Sequence, residues 1–341
     1  MSGLRALRTL CAGVATAATL GALACLLPDN PHQRWRLADG TIYDRLSWAY
    51  ERIHCDDRPI DVAIAGSSRG LLGISANRIE QQLSARGLPA NVANLSVIAE
   101  GRNVQWAALA ELFKAKSPRV IVLVVNSEAA PYGHPAFRLV APASAIAFPP
   151  APLLHNYFYD LAALPSRQVK LFAANLLPTL VGLPKDFDPQ RYTAERSDFT
   201  SGVLHMDNKT FDMDREVPAS TLRAQSQARP HVSWIDRLIF RCCNDGDDRV
   251  YIREIGKLAE AHGARLIFAF VPTFEGSTTI DDRDFFSRRG RLVDASDIAG
   301  DAALYENWAH LNHAGAVKVS DRIAEAIANL RTSSLEPQNA R

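Results

Sequence analysis

From about residue 60 the chain sets short, nearly continuous aliphatic runs between longer stretches in which apolar residues return every three or four positions. "IDVAIAG" (60–66), "ANVANLSV" (90–97) and "RVIVLVVN" (119–126) are too short for helices and too uniformly apolar for half-exposed strands, so they predict strands buried on both faces. Between the first two, "SANRIEQQLSARG" predicts a helix, with Ser75 as N-cap, Ile79 and Leu83 one turn apart and Gly87 as the stop. "NVQWAALAELFKAK" sets Val104, Ala108 and Leu112 on one helical face before the third strand. The rhythm resumes near 248 with the helix "RVYIREIGKLAEAHG", the strand "ARLIFAFVP", a short "RLVDAS" and a closing helix whose inner side carries Val317, Ile323, Ala324 and Ile327. Strands alternating with helices predict an α/β fold of three layers, helices on both faces of a mostly parallel sheet, in the manner of flavodoxin-like domains.

Three segments stand outside that rhythm. Residues 131–246 are rich in proline and aromatics and then polar, and read as an insertion packed on the α/β domain formed by 60–130 and 247–330. Residues 29–59 read as a polar linker, and 331–341 as a flexible tail. Residues 1–28 contain Arg5 and Arg8 followed by an uncharged run from Thr9 to Pro28, enough as a helix to cross a bilayer core. Ala22-Leu23-Ala24 would suit signal peptidase, but Leu26 and Leu27 prolong the apolar run beyond it, which favours an uncleaved single-pass anchor. Basic residues ahead of the run place the N-terminus in the cytoplasm and the remainder in an extracytoplasmic, periplasmic space.

With 47% hydrophobic residues in 341 the chain can build a substantial core, and 38 Lys and Arg against 37 Asp and Glu leave no global field to attract nucleic acid. Past the anchor the cysteines are Cys55, Cys242 and Cys243; no spacing suggests a metal site or cofactor motif, and either a Cys55 disulfide to one of the adjacent pair or three free thiols is compatible with them. "GSSRG" lacks the G-x-G-x-x-G spacing of a dinucleotide site, and no Gly-Lys-Ser/Thr follows a strand.

Ligands of open parallel sheets gather at the carboxyl ends of the strands. Those exits read "GSSRG" (66–70), "NLSVIAEG" (94–101) and "NSE" (126–128), and the loop before the last helix reads "NWAHLNHAGA" (307–316). Each piece alone is an ordinary turn or cap. Their order, a Gly-x-Ser after strand one, an Asn after strand three and a His before the closing helix, resembles the block pattern of the SGNH (GDSL) hydrolase superfamily. The resemblance covers roughly 60–130 and 248–330. The anchor and the large insertion are similar to the membrane-bound members acting in alginate O-acetylation and teichoic-acid D-alanylation. It implies Ser68 as nucleophile, His310 as general base and then acid, and an oxyanion hole from the Ser68 N–H and the Asn126 amide, with Gly101 as a further donor. It also implies an acylated glycan or other carbohydrate polymer as substrate and a membrane-bound acyl-donor protein as partner.

Asn307 stands where the resemblance leads one to expect Asp. An amide oxygen can orient an imidazole but brings no negative charge, which leaves either reduced activity or a bare Ser-His dyad, or a charge supplied from the same loop by Glu306, Asp297 or Asp301. His313 reads as a structural turn residue and Arg69 as the partner of an acidic side chain. Two readings follow: an acyl-ester hydrolase or O-acyltransferase, with acetyl as the expected group, or a catalytically weakened protein of the same fold that binds polysaccharide or assembles an acylation complex. Tyr157, Phe158, Tyr159 and Phe172 are expected to pack the inserted helix on the core, with stacking on sugars as the alternative.

Overall fold

A computed structural model describes residues 2–126, 133–151, 156–193, 198–206, 209–228, 247–280 and 283–333. The architecture follows from the pleat of the first strand, β1 (Val62–Ala65). Val62 and Ile64 point to one side, where they meet Ile79 and Leu83 of helix Ala76–Ala85 and Val319, Ile323 and Ile327 of the closing helix His313–Ser333. Ala63 and Ala65 point to the other, where Ile53, Leu109, Leu112, Ile252 and Ile255 come from helices Arg45–His54, Arg102–Ala115 and Asp247–Ala261. Burying a strand on both faces in this way needs apolar side chains at every position, which is why these runs do not alternate with polar ones.

Around β1 stand β2 (Val92–Asn94), β3 (Val120–Val125), β6 (Arg265–Phe270) and β7 (Arg291–Asp294), in the order β2-β1-β3-β6-β7 with every pairing parallel. Two antiparallel hairpins lie apart from this sheet: β4 (Val203–Met206) with β5 (Lys209–Asp212), and β8 (Tyr305–Asn307) with β9 (His310–Leu311). The fold is therefore the expected three-layer α/β/α domain, with a sheet that is wholly parallel. Ser75 caps its helix by accepting from the Arg78 N–H at 3.0 Å, as its position predicts.

The structure departs from the sequence reading in three places. Residues 29–59 are no linker: helix Pro31–Trp35 and helix Arg45–His54 pack against the domain with Trp35, Leu46, Trp48 and Ile53 buried. The charges that made the segment look solvated are spent on backbone acceptors, the Arg52 guanidinium donating to the carbonyls of Arg58 and Pro59 and Arg45 to that of Ser96. In the closing helix Val319 is fully buried, whereas Val317 is only half-buried. In the insertion, Phe158 and Tyr159 face outward instead of packing inward. Cys55 is a half-buried free cysteine; Cys242 and Cys243, and with them the choice between a disulfide and free thiols at that pair, lie outside the described residues.

Among the places where the insertion packs on the α/β domain are two apolar contacts. Phe137, Ile146 and Leu164 pack with Ala107, and Met213 of the segment after β5 packs on Leu71 and Leu72 beside β1. The second contact matters for the site, because Leu71 and Leu72 belong to the short helix Ser68–Gly73.

That helix is seated by close approach. A methyl group on Gly70 would lie 2.7 Å from Ser96 Oγ and 2.8 Å from Val124 Cγ2, both in the buried interior. Gly70→Ala is expected to destabilise the protein by about 1–3 kcal/mol, the usual cost of overpacking. Urea unfolding measures it; an unchanged midpoint would contradict this seating.

Candidate active site

Strand β1 ends at Ala65, the chain turns through Gly66 and Ser67, and Ser68 opens a helix of six residues. A sharp strand-to-helix turn of this kind leaves the first side chain of the helix at the rim of the sheet, and the Ser68 N–H in a first turn that has no helical acceptor. Asn94 at the end of β2 holds the helix from beneath. Its fully buried amide donates to the carbonyls of Gly70 and Ile74, both at 3.0 Å, and its oxygen accepts from the Ser96 N–H at 3.1 Å. From the other side Leu311 of β9 lies against Gly73.

This contact brings the second half of the site to the first. His310 Nε2 is 2.9 Å from Ser68 Oγ, although 242 positions separate them in the chain. Asn307 and His310 face one another across the β8–β9 turn, with Asn307 Oδ1 3.0 Å from His310 Nδ1. The same oxygen receives the backbone N–H groups of Ala309 and His310 at 2.9 and 3.1 Å. Backbone N–H groups can only donate, so the atom they converge on must be the amide oxygen, and His310 Nδ1 must then carry the hydrogen. The lone pair of the neutral ring is left on Nε2, facing the Ser68 hydroxyl.

Behind Asn307 stands Glu306. The Asn307 Nδ2 donates to its carboxylate, which is buried, so the chain of hydrogen bonds runs Ser68, His310, Asn307, Glu306. Of the three acids in this loop, Glu306 is the one that reaches Asn307. Asp297 is instead paired with Arg322 at 2.7 Å, and Asp301 accepts from the Ala303 N–H and lies 3.7 Å from Lys318. Burial pushes the Glu306 carboxyl upward, opposed by the Asn307 amide and by Arg215. Hydrogen bonds in series polarise one another, so donation to Glu306 makes the Asn307 oxygen a better acceptor without placing a charge on the imidazole.

The imidazole sits in an otherwise electropositive place. Burial, then Arg69, then Lys209 of β5 hold its pKa far below the ordinary 6.5, at about 3. The ring is therefore neutral at physiological pH and ready to accept a proton. Phe211 of the same strand meets it edge-on, ring centres 5.9 Å apart. The β4–β5 hairpin of the insertion thus forms one wall of the site, a contribution no local motif announces. The His313 ring donates from Nδ1 to the Thr200 carbonyl, 3.0 Å away, and its backbone N–H donates to the Met213 carbonyl, so it ties the insertion to the closing helix.

Asn126, just beyond β3, and Gly101, at the start of helix Arg102–Ala115, line one small cleft together with Ser67. The Asn126 amide is not free there. Its Nδ2 donates to Glu100 Oε1 at 2.8 Å, and its buried oxygen has no partner among the described residues. The same Glu100 oxygen lies 3.8 Å from Arg69, the acidic neighbour foreseen for that residue. Gly101 adopts φ +140°, and a side chain there would meet the His134 backbone nitrogen at 2.2 Å, so its glycine is required by backbone geometry and packing. Ala99, at φ +72°, holds the same loop in a left-handed conformation. Ser68, His310 and Asn307 thus come together in one hydrogen-bonded chain, while Asn126 and Gly101 meet in the adjoining cleft, with one Asn126 N–H given to a carboxylate of the protein itself.

Activity that requires neutral His310 should persist as pH falls through 6.5 and fail only as the pH nears about 3. Arg69→Gln removes a cation beside the ring, so the ring protonates more readily and the acid limb of kcat/KM moves to higher pH. A pH–rate profile of both proteins checks this; an acid limb at 6.5 or above in the unaltered protein would contradict it. No protein-family model matches the chain and no curated protein matches it.

Proposed function

We propose that the protein is a serine-dependent acyl-ester hydrolase or O-acyltransferase of SGNH type, with acetyl as the group moved and cell-envelope carbohydrate as the substrate. The observation that carries the reading is the convergence of two backbone N–H groups on Asn307 Oδ1, which sets His310 in the tautomer that accepts a proton from Ser68. In this reaction Ser68 Oγ attacks the ester carbonyl while its proton passes to His310 Nε2. The tetrahedral oxyanion is met by the Ser68 N–H and by the Asn126 amide, whose Nδ2 carries a second hydrogen besides the one given to Glu100. Collapse expels the alcohol, which takes the proton from Nε2, and leaves an acyl-serine. Water or a sugar hydroxyl then repeats the sequence in reverse roles, giving hydrolysis or transfer.

The location proposed is the periplasmic side of a membrane, with the N-terminal helix as a single-pass anchor. The helix is long and apolar enough to span a bilayer over Arg5–Cys25, and Arg5 and Arg8 stand at its far end. A membrane-bound protein delivering the acyl group is the partner this arrangement suits.

Two observations favour a second reading, a weakened enzyme that binds polysaccharide or assembles an acylation complex: among the described residues no carboxylate touches His310, and Glu100 takes one N–H of Asn126. Turnover of a fluorogenic acetyl ester by the full chain separates the readings. The enzyme reading expects release abolished by Ser68→Ala and reduced about 100 to 1,000-fold by Asn126→Ala, the usual effect of removing one oxyanion donor. Release that survives Ser68→Ala unchanged, or none from the parent protein, would favour the binding reading.

A further inference from the structure

The inserted helix Tyr157–Leu176 is built inside out. Its buried positions include Asp160, Arg167 and Gln168 alongside Leu164, Leu171 and Ala174. Arg167 donates to the carbonyls of Arg138 and Ala141, both at 2.8 Å, so the polar side chains of this helix are used to fasten it to the protein. The opposite side carries Phe158, Ala162, Pro165, Val169 and Leu176, spaced by three, four or seven residues and hence aligned along one stripe. Phe158 is 74% exposed and Leu176 62%, and the stripe runs on into Leu177 and into Leu180, which is 81% exposed. A helix covering a water-soluble domain has the reverse arrangement.

The stripe adjoins the N-terminal helix Ser2–Cys25. Gly21 faces the Pro165 ring, and Cys25 packs with Leu161 and Leu164. Hydrogen bonds then stitch the chain leaving that helix to the inserted one: Gln168 Nε2 donates to the Leu27 carbonyl at 3.0 Å, and Gln33 Nε2 to the Ala174 carbonyl at 2.9 Å. Beyond these contacts at its last turns the N-terminal helix is uncovered, with Leu7, Leu10, Val14, Leu20 and Leu23 all exposed. Its 21 residues from Arg5 to Cys25 measure about 31 Å, against a hydrocarbon core of roughly 30 Å. Whatever apolar medium receives that helix must also reach the stripe, because the last turns of the one are fixed beside the middle of the other.

We infer that the outer face of Tyr157–Leu176, continued by Leu177 and Leu180, docks on a lipid bilayer at the boundary between headgroups and acyl chains. It forms with the N-terminal helix a two-part seat that holds the α/β domain at the membrane surface in a fixed orientation. Exposed Lys170 on the flank of the stripe and exposed Lys185 beyond it suit anionic headgroups. The inference is independent of the chemistry proposed for Ser68.

The test uses the full chain reconstituted in vesicles of phosphatidylethanolamine and phosphatidylglycerol, with the photocrosslinking residue p-benzoylphenylalanine replacing Phe158, Leu176 or Leu180 in turn. Gln81, exposed on helix Ala76–Ala85, serves as the aqueous control. These sites are already exposed, so the replacement leaves the core intact. Irradiation is expected to give lipid adducts, read by mass spectrometry, about ten-fold more abundant at the three stripe positions than at Gln81. Lipid adducts no more abundant than at Gln81, or crosslinks joining two copies of the chain in place of lipid, would overturn the inference.

Discussion

The candidate site depends on one small electrostatic constraint: two backbone N–H groups, of Ala309 and His310, point at a single side-chain oxygen. They decide which end of the Asn307 amide is oxygen, the amide decides which nitrogen of His310 holds its hydrogen, and the imidazole then turns a lone pair toward Ser68. An aspartate in the same place would orient the ring equally well and add a charge. Here the acidic group stands one residue back, at Glu306, and acts on the ring only through the Asn307 amide. The design gives up stabilisation of the imidazolium and keeps its orientation.

Everything else in the fold serves to bring that turn to the serine. The parallel sheet sets Ser68 at the carboxyl end of β1, Asn94 fastens the short helix it opens, and Leu311 closes the distance from the other side. The insertion completes the enclosure with Phe211 and Lys209, and its opposite end carries the apolar helix fixed to the N-terminal one. One inserted segment thus shapes the pocket and, at a separate surface, carries the membrane-facing stripe inferred above.

The strands and main helices were legible because burial on both faces leaves an unbroken aliphatic signature, and Ser75 or Gly87 punctuate it with caps and stops. Ser68, His310 and Asn307 were legible through their order along the chain, although no local spacing joins a serine to a histidine 242 positions away. Residues 29–59 were misread because arginines that bond buried carbonyls look, in sequence, like arginines in water. The choice of Glu306 over Asp297 and Asp301 needed three dimensions, since each lies in the same loop and only the partners of the other two remove them. The occupation of Asn126 by Glu100 was equally invisible, since it joins the ends of two different strand exits across a cleft.

Covalent labelling tests the central claim most directly. A fluorophosphonate reacts with a serine only where a base has prepared the hydroxyl. Peptide mapping of the labelled protein is predicted to place the adduct on Ser68, with labelling lost in His310→Ala although that serine remains. A protein that stays unlabelled, carries the adduct on another residue, or labels equally well without the imidazole would contradict the account.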